Sequence, residues 1–156
     1  MTSTDISTLI TQIDHVGVAV ADLDAAIAWY STAFGLVVAH RETNAEQGVE
    51  EAMLVPAGQS GQAESATTAI QLLAPLTAES TIQRFLDRNG PGMQQLAYRV
   101  TDLDAAAAHF RSQGIRLLYD EPRRGTADSR INFLHPKDAG GILVELVEPA
   151  SGVPNH

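Results

Sequence analysis

The segment His-Val-Gly-Val-Ala-Val-Ala-Asp-Leu-Asp-Ala-Ala begins at His15. Eighty positions later it returns as Gln-Leu-Ala-Tyr-Arg-Val-Thr-Asp-Leu-Asp-Ala-Ala from Gln95. A duplication of this kind constrains the fold strongly, because whatever the first copy builds the second must build as well. Each copy opens with a period of two. Val16, Val18 and Val20 alternate with His15, Gly17 and Ala19, and Leu96, Tyr98 and Val100 alternate with Gln95, Ala97 and Arg99. That is a strand pattern. The period then changes to that of a helix. Leu23, Ile27, Tyr30 and Phe34 fall on one helical face, as do Leu103, Ala107 and Phe110. Asp22 and Asp102 are expected N-caps, and Gly35 and Gly114 expected stops.

Three segments readable as strands follow each helix. They are LVVAHRE, EEAMLVPA and TAIQLLAP in the first half, and IRLLYDE, SRINFLHP and GILVELVEP in the second. The stretch TAESTIQRFLDRNG reads as a linking helix with Ile82, Phe85 and Leu86 on one side and Gly90 as its stop. AGQSGQAESATT reads as a long hairpin loop. The expected fold is therefore α+β: two tandem βαβββ modules forming a cupped mixed sheet. Module 1 covers about residues 13–76, the linking helix about 77–90 and module 2 about 93–149, with tails at 1–12 and 151–156. The bulky residues of each opening strand pack under the helix. The other face carries small residues around His15 and Gln95, and is expected to be hollow.

Composition narrows the function classes. Of 156 residues, 44% are hydrophobic, enough for a core, and no apolar run approaches the ~20 residues of a membrane span. The N-terminus has no basic start and no long apolar run, so it does not read as a signal peptide. The absence of cysteine removes thiolate ligands and thiol nucleophiles and favours a cytoplasmic protein. A net charge of −9 argues against nucleic acid or anionic membrane as partners. Yet four of the ten basic residues, Arg123, Arg124, Arg130 and Lys137, lie in PRRGTADSRINFLHPK, within which only Asp128 opposes them. Such a run suits a small anionic ligand as well as a solvated loop.

The duplication also aligns polar residues. His15 and Gln95 occupy equivalent places in the first strands. Gln71 and Glu145, each four residues before a proline, occupy equivalent places in the last. Glu145 sits in ILVELVEP, where burial is costly unless the carboxylate is paired or metal-bound. One imidazole, two amide oxygens and one carboxylate form a mixed N/O donor set without sulfur. It suits one divalent ion, with Co²⁺ foremost and Mn²⁺, Ni²⁺, Mg²⁺ or Zn²⁺ as alternatives.

From about Ile13 to Pro149 the chain resembles the vicinal oxygen chelate superfamily and, within it, the methylmalonyl-CoA epimerases. The segments that carry the resemblance are IDHVGVAVADLDAAIAWY, EQGVEEAMLVP, IQLLAPL, FLDRNGPGMQQLAYRV and LYDEPRRGTADSRINFLHPKDAGGILVELVEP. The resemblance implies metal ligands at His15, Gln71, Gln95 and Glu145, a second catalytic carboxylate at Glu51, an acyl-CoA substrate and a homodimer. One position departs. Most such epimerases have histidine where this chain has Gln95, so a weaker, neutral amide oxygen would replace an imidazole nitrogen.

The implied chemistry is epimerisation at C2 of methylmalonyl-CoA by proton removal and return, with Glu51 and Glu145 as acid and base. Strand alternation alone leaves Glu50 and Glu51 equally placed. Arg123, Arg124, Ser129, Arg130, His135 and Lys137 are candidate substrate contacts, with a turn role open for His135. Two alternatives stand beside this reading: a glyoxalase-like isomerase on the same metal, and a metal-free small-molecule-binding module of the same superfamily.

Overall fold

The computed structural model describes residues 5–59 and 67–150. They divide into two compact units, one of residues 15–94 and one of residues 5–14 with 95–150. The C-terminal tail and most of the expected hairpin loop lie outside the described residues.

The expected N-terminal tail is structured over its described part. Asp5 accepts a hydrogen bond from the Ser7 N–H at 2.9 Å and starts a one-turn helix, α1 (Ile6–Leu9). Strand β1 (Ile10–Ala19) follows at once and so begins earlier than its valine alternation suggests. The reason is burial: Leu9 is packed with Val100, Leu103 and Leu146. The Thr101 N–H also donates to the Leu9 carbonyl at 3.0 Å, which binds this segment into the second unit.

In the first unit, β1 leads to α2 (Leu23–Phe34), β2 (Leu36–Asn44), β3 (Val49–Pro56), β4 (Ala69–Pro75) and α3 (Thr81–Asn89). The repeated Asp-Leu-Asp-Ala-Ala segment is a capping device. Asp22 accepts from the Ala25 N–H at 3.0 Å, and Gly35, at φ 70°, closes the helix in the left-handed conformation that glycine tolerates. The strand order is β2–β3–β4–β1, with β1 parallel to β4 and the others antiparallel. One face of the sheet packs under α2, joining Val20, Leu23, Ala52, Leu54, Leu72 and Ala74, with Ile27 and Tyr30 beside them. Phe34 departs from the expected apolar stripe and is 63% exposed, because it is the last residue before the cap. The opposite face is not hollow throughout. Ile82, Phe85 and Leu86 of α3 cover its end at Ala19, Val49 and Leu73.

In the second unit, β5 (Gly92–Val100) leads to α4 (Leu103–Ser112), β6 (Arg123–Arg124), β7 (Arg130–Leu134) and β8 (Val144–Glu148). Asp102 caps α4 through the Ala105 N–H at 3.0 Å. The order is β5–β8–β7–β6, with β5 parallel to β8 and the remaining pairs antiparallel. Leu103 and Ala106 of α4 pack against Leu134, Val144 and Leu146, while Ala97, Ile131, Phe133 and Val147 share the other face.

The strand expected over IRLLYDE is not formed; Leu117 makes only an isolated bridge to Leu134. The Leu118 N–H donates to the Phe133 carbonyl and the His135 N–H to the Arg116 carbonyl, each at 2.8 Å, and from Tyr119 on side chains take over the pairing. Buried Asn132 accepts from the Tyr119 N–H at 3.1 Å and donates to its carbonyl at 2.9 Å, while Arg111 donates to the Tyr119 and Asp120 carbonyls. Backbone groups satisfied in this way have no need of a ladder. Among the described residues no helix is long and apolar enough to cross a membrane.

Candidate active site

Register places the polar residues face by face. In the first unit Gly17 lies beside Gln71, Met53 beside Gln71, and Glu51 beside Leu73. His15, Gln71 and Glu51 therefore share the face away from α2. All three are buried, at 2%, 3% and 3% exposure. Gln71 Nε2 donates to Glu51 Oε2 at 3.2 Å. Glu50 alternates to the α2 side, with Ala52 and Leu54. The structure thus distinguishes two glutamates that the sequence leaves equivalent.

The second unit repeats the theme with other partners. Glu145 lies between Ala97 on β5 and Phe133 on β7, facing away from α4, and is 5% exposed. Gln95, on the same face, donates from Nε2 to Glu145 Oε1 at 2.7 Å. The two modules match in register: Gln71 corresponds to Glu145, and the Glu51 register corresponds to Ile131, which lies opposite Val147. Each unit thus holds one buried glutamate met by a glutamine amide, at a different place in the repeat.

The basic run is divided between the faces. Arg130 turns to the α4 side. It meets Glu148 at 3.1 Å and both carboxylate oxygens of Asp104 at 3.1 Å. Glu148, with Asp104 behind it, holds the guanidinium above its ordinary value. Glu148 also accepts from the Leu103 N–H at 2.9 Å, so Arg130 ties β7 and β8 to the start of α4. Arg124 pairs with Asp128 at 2.7 Å. Arg123 lies opposite Ile131 and shares the Glu145 face. Lys137 is exposed on a single helical turn whose N-cap is His135, its Nδ1 accepting from the Lys137 N–H at 3.2 Å. The Arg116 guanidinium beside Asp138 holds that carboxyl well below the usual range and anchors the same turn. His135 thus has the turn role, and neither Arg130 nor Arg124 stands with Glu145.

Ser129 continues the row of Ile131 and Phe133 on the Glu145 face. It is 5% exposed, and its Oγ has no hydrogen-bond partner among the described residues. A buried hydroxyl without a partner is costly, and a ligand group would satisfy it. Its position depends on Gly125. A Cβ there would lie 2.5 Å from Ile131 Cγ2 and 2.8 Å from Ser129 Oγ. Gly125→Ala is expected to displace both and to lower stability by about 1–3 kcal/mol, read from urea denaturation; an unchanged midpoint would show that the loop yields freely.

Sequence reasoning missed the Asn132 clamp and the buried ion pair of Asp14 with Arg99. An amide inside RINFL carries the same signal as Glu145 inside ILVELVEP, and could have been read in the same way. Among the described residues no three of His, Cys, Asp and Glu gather as a metal cluster. The donors expected for a divalent ion are only half of those types: His15 gives an imidazole nitrogen and Glu145 a carboxylate, while Gln71 and Gln95 give amide oxygens. In donor chemistry they suit such an ion. Each amide gives its nitrogen to a carboxylate and keeps an oxygen, the atom that would serve as the donor to an ion.

The Glyoxalase/Bleomycin resistance protein/Dioxygenase superfamily model matches residues 14–133. The ethylmalonyl-CoA/methylmalonyl-CoA epimerase of Cereibacter sphaeroides is 35% identical over 140 residues, 88% of this chain and 98% of that protein. The crystal structure of methylmalonyl-CoA epimerase from Mycobacterium tuberculosis is similar with a TM-score of 0.84 at 56% identity, covering 92% of this chain and 91% of that one. A methylmalonyl-CoA epimerase in complex with methylmalonyl-CoA and NH4+ is similar with a TM-score of 0.84 at 44% identity, covering 94% and 99%. The chain belongs to the Glyoxalase/Bleomycin resistance protein/Dioxygenase superfamily and, within it, to the methylmalonyl-CoA epimerase family.

Proposed function

We propose that this protein interconverts (2R)- and (2S)-methylmalonyl-CoA by proton transfer at C2, acting as a cytoplasmic homodimer. The observation that carries the reading is the pair of buried glutamates, Glu51 and Glu145, each held by a glutamine amide in its own unit. Relatives named for this reaction, similar over nearly the whole chain, support it.

The C2 hydrogen lies between a thioester carbonyl and a carboxylate. Removing it breaks the C–H bond and sends the electron pair toward the thioester oxygen; returning a proton on the other side inverts the centre. Two proton carriers suffice, one ionised and one protonated at each turnover. The proposal gives one to each unit. Glu51 takes or gives the proton for one epimer and Glu145 for the other. Gln71 and Gln95 orient the two carboxylates through their amide N–H groups. The unpartnered Ser129 Oγ donates to a substrate oxygen. His15, Gln71, Gln95 and Glu145 would hold a divalent ion, Co²⁺ foremost. When bound, such an ion supplies Lewis acidity that stabilises negative charge on the substrate oxygens.

The test is isotopic. Each epimer of methylmalonyl-CoA is incubated with the protein in D₂O, with and without EDTA and with Co²⁺, Mn²⁺, Ni²⁺ or Mg²⁺ added back. Deuterium should enter at C2 while the epimers converge, chelation should slow both, and Co²⁺ should restore them best. No exchange with any metal would reject the epimerase reading, and exchange indifferent to prolonged chelation would reject the metal.

A further inference from the structure

The two cations that open the basic run differ sharply. Arg124 is neutralised by Asp128. Arg123 makes no hydrogen bond or ion pair among the described residues. Its guanidinium lies over the Tyr119 ring, 4.2 Å from the centroid. That contact restrains one flat side of the group and leaves the in-plane N–H donors available to an oxyanion.

The surroundings of Arg123 are built rather than incidental. Tyr119 packs edge-on against Phe133 at 6.0 Å between ring centroids, and Phe133 lies directly opposite Glu145. The Tyr119 backbone is fixed on both sides by Asn132, which is 1% exposed. Arg123, Ser129 and Glu145 share one sheet face within the second unit. Ser129 Oγ is buried there without a partner. A restrained guanidinium and an unsatisfied hydroxyl on one face make an arrangement that recognises an oxyanion.

We infer that Arg123 binds an anionic group of the acyl-CoA, with Tyr119 as its positioning residue. The inference rests on the acyl-CoA reading above. A carboxylate on the acyl group and the phosphates of CoA offer the same chemistry, and substrate truncation separates them.

The experiment compares wild type, Arg123→Ala, Arg123→Lys and Tyr119→Leu on methylmalonyl-CoA and on methylmalonyl-pantetheine, which lacks the phosphates. Calorimetric binding of free CoA is measured in parallel. Arg123→Ala should raise KM for methylmalonyl-CoA by ~10-fold or more with kcat little changed, as loss of a charge-assisted contact predicts. Arg123→Lys should recover only part, because the planar fork is lost. Tyr119→Leu should raise KM by roughly 3-fold or more through loss of the stacking contact. An equal rise on the pantetheine thioester assigns the carboxylate. A rise confined to methylmalonyl-CoA, with weaker CoA binding, assigns the phosphates. If Arg123→Ala leaves both KM values and CoA binding unchanged, the inference is overturned. A wild-type protein that binds CoA through Arg123 but epimerises neither thioester would sink the epimerase reading alone; one that neither binds CoA nor reacts would sink both.

Discussion

Glu51→Gln and Glu145→Gln should each lower epimerisation at least ~100-fold, the loss typical when a positioned acid or base is removed. Both changes preserve shape, so the fold should survive them. Each glutamate already receives an N–H from a glutamine, at 3.2 Å for Glu51 and 2.7 Å for Glu145. A glutamine can keep that bond through its own oxygen. The more telling measurement is deuterium wash-in followed separately for each epimer. With one carrier gone, exchange from one epimer should persist while conversion to the other fails. Glu50→Gln supplies the control, since Glu50 lies on the α2 side of β3 and should be near wild type. Wild-type epimerisation by Glu51→Gln would move the proton carrier elsewhere.

The second large effect concerns stability. Arg99→Leu should cost about 3–5 kcal/mol, as is usual when one member of a buried ion pair is removed. Arg99 Nε lies 2.7 Å from Asp14 Oδ1, and the two side chains are only 14% and 9% exposed. The pair binds the early part of β1 to β5, where Thr11 Oγ1 also donates to the Arg99 carbonyl at 3.4 Å. The paired change Asp14→Asn with Arg99→Leu should be less damaging than the sum of the single changes, because it removes both charges together. Urea unfolding followed by circular dichroism gives the comparison. Strict additivity would mean that the two side chains act independently.

Local rules in the sequence reached a long way. Asp22 and Asp102 cap their helices as the repeated pentapeptide suggests, and Gly35 adopts the positive φ expected of a stop. These features depend on neighbours within four residues, so a short segment contains their cause. Glu51 and Glu50 illustrate the limit. Alternation puts them on opposite faces but does not say which face is which; that is decided by where α2 lies, through Ala52 and Leu54. Residues 115–121 fail for a related reason. Their apolar pattern suits a strand, but Asn132 and Arg111 satisfy the backbone at Tyr119 from outside the segment. The basic run was legible as a cluster of charge. Only the partners of Arg124 and Arg130 reveal which of its members are already committed.

The unequal carboxylates of the two modules bear on how a duplicated chain acquires chemistry. Two identical copies would carry glutamate at a given register in both halves or in neither. Here one half has Glu51 where the other has Ile131, and the other has Glu145 where the first has Gln71. The backbone repeat has been kept while the acidic positions have been dealt out singly. Duplication followed by such divergence gives each half its own acid in its own setting, Leu73 beside Glu51 and Ala97 with Phe133 beside Glu145, so that one repeated scaffold carries two chemically distinct carboxylates.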